Sequence, residues 1–228
     1  MTALTAVTAQ NTQTVSGVYP LPPEAIVEQV RAVVSDIGVD AVKIGMLGSV
    51  PTIEAVVEAL ALLPPVPVVL DPVMVAESGA RLLESDAESA LRERLLPRVT
   101  AVTPNLPEAA VLARASAEAA PDALARAIHA LGPDVVVVTG GHGERAVDVF
   151  FDGTRLVELP GERYPEGAAH GSGCTHSAVL AAQLALGLDP LDAAREAKRI
   201  ASESVRDGLR ELGAGAGPVD VLGLTRDT

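Results

Sequence analysis

Tryptophan is absent from this 228-residue sequence, and aromatic residues make up only 2% of it. A core must therefore be assembled from alanine, valine and leucine rather than from large rings. Cysteine occurs once, so no intramolecular disulfide can form, which suits a reducing compartment. Basic side chains are scarce as well, 17 against 30 acidic ones, for a net charge of −13. That balance disfavours a general binder of nucleic acid or of anionic membrane, since both need basic patches. No apolar stretch approaches the roughly 20 residues of a membrane-spanning helix. Met1-Thr2-Ala3-Leu4 has neither the charged start nor the apolar run of an export signal. The expectation is a soluble, cytoplasmic protein.

What is present is a globular composition. Hydrophobic residues reach 48%, which excludes intrinsic disorder. Short Val/Ile-rich runs alternate with amphipathic Ala/Leu/Glu segments. Val66-Pro67-Val68-Val69-Leu70 and Val135-Val136-Val137-Val138 are continuous apolar runs, as expected of strands covered on both faces of a parallel sheet. Residues 2–9, 41–44 and 100–102 are weaker strands of the same kind. Pro22-Pro23-Glu24 opens a helix that places Val27, Val30, Val34 and Ile37 on one face, and Gly38 closes it. Ser85 and Glu88 have capping-box spacing and start a helix running to about Leu95. Ile53, Val56, Val57 and Leu60 form a further stripe, as do Leu124, Ile128 and Leu131; plain core packing accounts for both. Asp152-Gly153 reads as a hairpin tip that adds antiparallel strands after the parallel part. The Gly/Ala/Pro-rich stretch from residue 213 onward reads as a loose tail on a single α/β domain spanning 1–228.

In open α/β sheets, ligands bind beyond the carboxyl ends of the strands. The residues just after each apolar run are Gly45-Met46, Asp71-Pro72, Thr103-Pro104-Asn105 and Thr139-Gly140-Gly141-His142. The sharpest motif is His170-Gly171-Ser172-Gly173-Cys174-Thr175-His176-Ser177, which runs into an apolar helix. A glycine turn entering a helix offers unpaired N–H groups and the positive dipole end to a phosphate, or is merely a turn. Cys174 at that helix start is expected to have a lowered pKa and to act as nucleophile or proton acceptor; the plainer reading is a small buried thiol. His176 lies two residues from Cys174 and so does not face it. A cysteine hydrolase would need His142 or His170 instead. Asp71, Asn105 and Glu108 can hold Mg²⁺ partly through water; taken singly, Asn105 is a helix cap and Glu108 a first-turn acid.

Six segments, in order and spacing, resemble the hydroxymethylpyrimidine/phosphomethylpyrimidine kinases, thiamine-pathway enzymes of the ribokinase-like fold. They are Thr5 to Thr12, Val42-Lys43-Ile44-Gly45-Met46-Leu47, Leu70-Asp71-Pro72-Val73-Met74, Thr103 to Glu108, Gly140-Gly141-His142 and His170 to Ser177. The resemblance implies a three-layer α/β fold with a mostly parallel sheet and a small antiparallel hairpin. It also implies transfer of phosphate from ATP, with Mg²⁺, to hydroxymethylpyrimidine and then to its monophosphate. By the same resemblance Gln10, Met46 and Val73 contact the pyrimidine, and Gly171, Ser172 and Gly173 form an anion hole. Cys174 stands where most ribokinase-like enzymes have a catalytic Asp. Asn105, Thr139, Gly141 and Lys198 lie toward ATP, with Asp71 and Glu108 toward the metal. Small molecules are the implied partners, with a homodimer as a candidate assembly.

Two departures accompany the resemblance. The family begins with a strand, a Gly-rich turn and a helix ahead of the Thr-Ala-Gln-Asn segment, which here follows Met1 closely; a misassigned start and a true truncation both fit. Thr139 stands where many relatives have Lys, so Lys198 or backbone amides must compensate. Alternatives are a pyridoxal kinase of the same fold, an inactive truncated remnant and, more distantly, a cysteine hydrolase.

Overall fold

The computed structural model describes residues 1–76, 79–140, 146–165 and 167–224. Its central sheet has six strands in chain order: β3 (Val42–Ile44), β4 (Val68–Leu70), β5 (Ala101–Val102), β6 (Val135–Val138), β7 (Val147–Phe151) and β8 (Leu156–Pro160). β3 to β6 pair in parallel, and β6–β7 and β7–β8 are antiparallel. The hairpin joining β7 to β8 turns at Gly153, whose φ of 86° suits a residue without Cβ. Ahead of the sheet, β1 (Ala6–Gln10) and β2 (Val15–Pro20) form a separate two-stranded antiparallel ribbon.

The continuous apolar runs are central because the sheet is covered on both sides. Ile44, Val68, Leu70, Val102, Val136 and Val138 point into one core. That core is covered by α1 (Pro23–Asp36), α2 (Val50–Leu60), the segment from α3 (Ala87–Ala90) through Leu91–Arg98, α4 (Leu106–Ala113) and α5 (Pro121–His129). Val69, Ala101, Val135, Val137 and Phe150 point the other way, against α6 (Ser172–Ala185) and α7 (Pro190–Arg206). Strand alternation thus divides one sequence between two cores, giving three layers. Small residues carry the second interface: Ala193, Ala194 and Ala197 of α7 are fully buried.

Several local expectations fail for physical reasons. The strand expected over 2–9 begins only at Ala6, and its partner β2 carried no burial pattern in sequence. Of the face expected for α1, Val27 is buried and Val30 and Val34 are half-buried, but Ile37 is 63% exposed and Ile26 is buried in addition. The Ser85/Glu88 box does not form: the helix starts at Ala87, and the residue before it, Asp86, has helical φ and ψ, so no side chain caps this end. The segment continues as a π turn at Leu91–Leu95 and a 3₁₀ turn at Leu96–Arg98. The Gly-rich stretch near the C-terminus runs beside the site: Val219 N donates to His170 O, and Gly215 N to Thr12 Oγ1.

Candidate active site

Beyond the carboxyl ends of β3 to β6 lies a cavity of about 1280 Å³. Its floor and walls come from the strand-end residues and from the turn entering α6. Gly171 precedes the helix with φ 90°, a left-handed backbone that glycine adopts without strain. The next residues, Ser172, Gly173 and Cys174, form the first helical positions; Ser172 N donates to Ala169 O at 3.0 Å, whereas the Gly173 and Cys174 amides have no helical carbonyl to bond. The absence of side chains at Gly171 and Gly173 leaves this end open to a ligand. A Cβ at 173 would come within 3.9 Å of Asp71 Oδ2, which puts the carboxylate directly beneath the turn.

Cys174 is exposed to the cavity. Its enclosure there pushes the thiol up from its usual value; neighbouring Lys43 opposes this and Asp71 reinforces it. The direction is opposite to the lowered pKa expected at the start of a helix; burial is its largest cause, and Asp71 adds to it. Asp71 itself sits at the end of β4, with Lys43 Nζ 3.4 Å away and the Ser177 hydroxyl 3.2 Å from Oδ2.

Asn105 and Glu108 cap α4 reciprocally. Glu108 N donates to Asn105 Oδ1, and Asn105 N donates to Glu108 Oε2, each at 2.9 Å. Met74 N reaches Glu108 Oε1 at 3.3 Å, tying the β4 loop to α4. The capping-box chemistry expected at Ser85 is therefore realised here, where Asn105 has the extended backbone a cap requires. Among the described residues no cluster of three or more His, Cys, Asp or Glu side chains gathers to hold a metal. The Asp71 and Glu108 carboxylates are an oxygen-only donor set, which fits a hard ion that keeps its waters and takes further ligands from phosphates.

Gln10, Met46 and Val73 line the same cavity, as do Thr139 and Lys198. Every described residue assigned to the site from sequence therefore faces one cavity. Gly141 and His142 lie outside the described residues.

The sequence reading missed a buried polar cluster beside Thr139 and Gly140. Asp148, in β7 and 1% exposed, accepts from Lys198 Nζ at 2.7 Å and from Gly140 N at 3.0 Å. Gly140 has no alternative: a Cβ there would stand 2.0 Å from Val147 O. His176 turns toward the same carboxylate. Its Nε2 lies 3.6 Å from Asp148 Oδ2, and neither ring nitrogen has a hydrogen-bond partner among the described residues. Lys198 is thus committed to Asp148 and does not simply replace the cation absent at Thr139.

Burial pushes His176 below its usual 6.5; Asp148 and Asp71 pull the other way, and Lys198 adds to the lowering. The unfolded chain therefore takes up a proton near 6.5 that the folded chain refuses. Stability from this source is complete above that pH and is lost as pH falls below it, by at most about 1.4 kcal/mol per pH unit. The Asp152, Asp189 and Glu196 carboxyls, lowered from 3.8, 3.8 and 4.5, lose their contributions only at more acid pH. We expect the melting temperature to fall between about pH 7 and 5.5 in the parent and much less in His176→Leu. Equal falls in both would remove His176 as the cause.

An α/β sheet with a glycine turn feeding a helix at its carboxyl edge, and an acidic residue beneath, defines a small-molecule phosphotransferase of ribokinase-like fold. The sequence model of the phosphomethylpyrimidine kinase family matches residues 1–220, and the chain belongs to that family. The hydroxymethylpyrimidine/phosphomethylpyrimidine kinase of Rhizobium meliloti (strain 1021) is 47% identical over 223 residues, covering 95% of this chain and 83% of that protein. The ADP complex of Bacillus subtilis pyridoxal kinase has a TM-score of 0.87 and 35% identity, covering 99% of this chain and 87% of that one. The phosphomethylpyrimidine kinase of Clostridium difficile 630 has a TM-score of 0.78 and 34% identity, over 90% of this chain and 86% of that one.

Proposed function

We propose that the chain transfers the γ-phosphoryl group of ATP to hydroxymethylpyrimidine and then to its monophosphate. The observation carrying this reading is Cys174 behind the Gly171-Ser172-Gly173 turn, facing one cavity with Gln10, Met46 and Val73. The pyrimidine ring would lie against Met46 and Val73, with Gln10 reading its polar edge. In the first transfer the hydroxymethyl oxygen attacks the γ-phosphorus, the bond to the β-phosphate oxygen breaks, and the alcohol proton passes to the Cys174 thiolate. The Gly173 and Cys174 amides at the start of α6 hold the charge spreading over the phosphoryl oxygens. Asn105 and Thr139 hold the nucleotide end, with Lys198 fixing Asp148 and through it the Gly140 amide beside them. Mg²⁺, when bound near Asp71 and Glu108, would neutralise phosphate charge. A single cysteine retained as a working thiol suits the cytoplasm.

A second reading, phosphorylation of pyridoxal, is favoured by the likeness to the Bacillus subtilis enzyme. Mass-resolved product formation with Mg-ATP from hydroxymethylpyrimidine, its monophosphate and pyridoxal separates the two. The expected result is a mono- and then a diphosphate of the pyrimidine, with the higher kcat/KM on that ring. Preference for pyridoxal, or no product from folded protein, overturns the reading.

A further inference from the structure

We propose that Lys43 is the side chain that lets this site accept a phosphate monoester as well as an alcohol. The inference rests on the two-acceptor reading above and names the group that separates the acceptors. Lys43 sits in the middle of β3, between Val42 and the core residue Ile44, on the face of the sheet that α6 covers. Its ammonium reaches past the strand end, over Gly45. A Cβ at 45 would stand 2.9 Å from Nζ, so glycine there leaves the space that the cation occupies. The ammonium lies 3.4 Å from Asp71 Oδ2, looser than the 2.7 Å contact that fixes Lys198 to Asp148. Charge-assisted pairs of this kind close to about 2.7–2.9 Å when fully formed. Lys43 is therefore a cation beside Cys174 that is only partly committed, whereas Lys198 is fully committed.

The two acceptors ask for different help. The alcohol must lose a proton as its oxygen bonds to the γ-phosphorus and ADP leaves, so it needs a proton acceptor. The monophosphate is close to a dianion at neutral pH. Its oxygen has no proton to lose as the new O–P bond forms and the bond to ADP breaks. What opposes that step is the approach of one anion to another, in a protein of net charge −13. A loosely held ammonium beside the attacking oxygen addresses that repulsion. Cys174 serves the first acceptor directly; Lys43 serves the second directly and the first only through its charge beside the thiol.

The test compares both acceptors in Lys43→Met, Lys43→Arg and Gly45→Ala, using the full chain with Mg-ATP. In Lys43→Met, kcat/KM for hydroxymethylpyrimidine monophosphate is expected to fall about tenfold to a hundredfold further than that for hydroxymethylpyrimidine, the effect of one charge-assisted contact. Calorimetric binding of the monophosphate without ATP should weaken in parallel. Lys43→Arg should restore most of the loss, because the charge returns. Gly45→Ala leaves the lysine in place but crowds only the flexible end of its side chain, and should shift the acceptor ratio in the same direction by less. Equal losses on both acceptors, or an unchanged acceptor ratio, would overturn the proposal. Failure of the underlying functional reading shows separately, as a parent protein that phosphorylates neither pyrimidine.

Discussion

Replacing Cys174 by alanine is expected to lower phosphorylation of hydroxymethylpyrimidine by about a hundredfold or more, the usual contribution of a positioned proton acceptor. The thiol faces the cavity and is not packed in a core, so the truncation should leave the melting temperature close to that of the parent. In the proposed transfer the form that takes the proton is the thiolate. Enclosure and Asp71 oppose that form while Lys43 supports it. Cys174→Ser keeps a hydrogen-bonding group of similar size but a far weaker acid, and should fall almost as far. The monophosphate acceptor brings no proton to remove, so its rate should drop much less, the reverse of the pattern at Lys43. The measurement is steady-state ADP release with each acceptor in turn. Retention of more than about a tenth of parental activity toward the alcohol would reduce Cys174 to an orienting group, since general-base catalysis is worth more than that.

The central sheet was legible because its strands are short, apolar and continuous: β4 and β6 are buried at every residue. The Asp152-Gly153 turn was legible because a positive φ restricts which residues can stand there. The β1–β2 ribbon was not, since most of its residues are exposed or half-buried and only pairing between its strands defines it. Two identical spacings, Ser85/Glu88 and Asn105/Glu108, had different outcomes. Spacing brings the side chains within reach, but the cap also needs an extended backbone at its first residue, and tertiary packing decides that. The site was legible as a set of residues, each just beyond a strand or at the start of α6. Its electrostatics were not. Lys43 and Asp148 each interrupt an apolar strand with a charge, which was the available signal, but the strands were read for hydrophobicity alone. The rise in the thiol pKa depends on cavity walls and on Asp71, a hundred residues away in sequence, which no local motif reveals.

Asp148 joins a buried ion pair to the strand end proposed for the nucleotide, and Asp148→Ala should be the most destabilising single change at the site. The substitution leaves Lys198, a residue 9% exposed, without its 2.7 Å partner and deprives Gly140 N of its acceptor. Breaking a buried pair from one side costs about 3–5 kcal/mol, because an uncompensated charge remains. For a chain of this length each kcal/mol lowers the melting temperature by roughly 2–4 °C, so a fall on the order of 10 °C is expected. Removing both charges gives the stricter test. Asp148→Ala combined with Lys198→Met leaves no buried cation, and the apolar methionine can still pack against Gly161, which lies close to the Lys198 stem. The double variant should therefore be more stable than Asp148→Ala alone. Its phosphotransfer should nevertheless stay low, with a raised KM for ATP, because the Gly140 amide is no longer anchored beside Thr139. If Asp148→Ala melts within about 2 °C of the parent, water must already reach Lys198 and the pair is not desolvated. If the double variant is less stable than Asp148→Ala, the lysine stem rather than its charge is what the core requires.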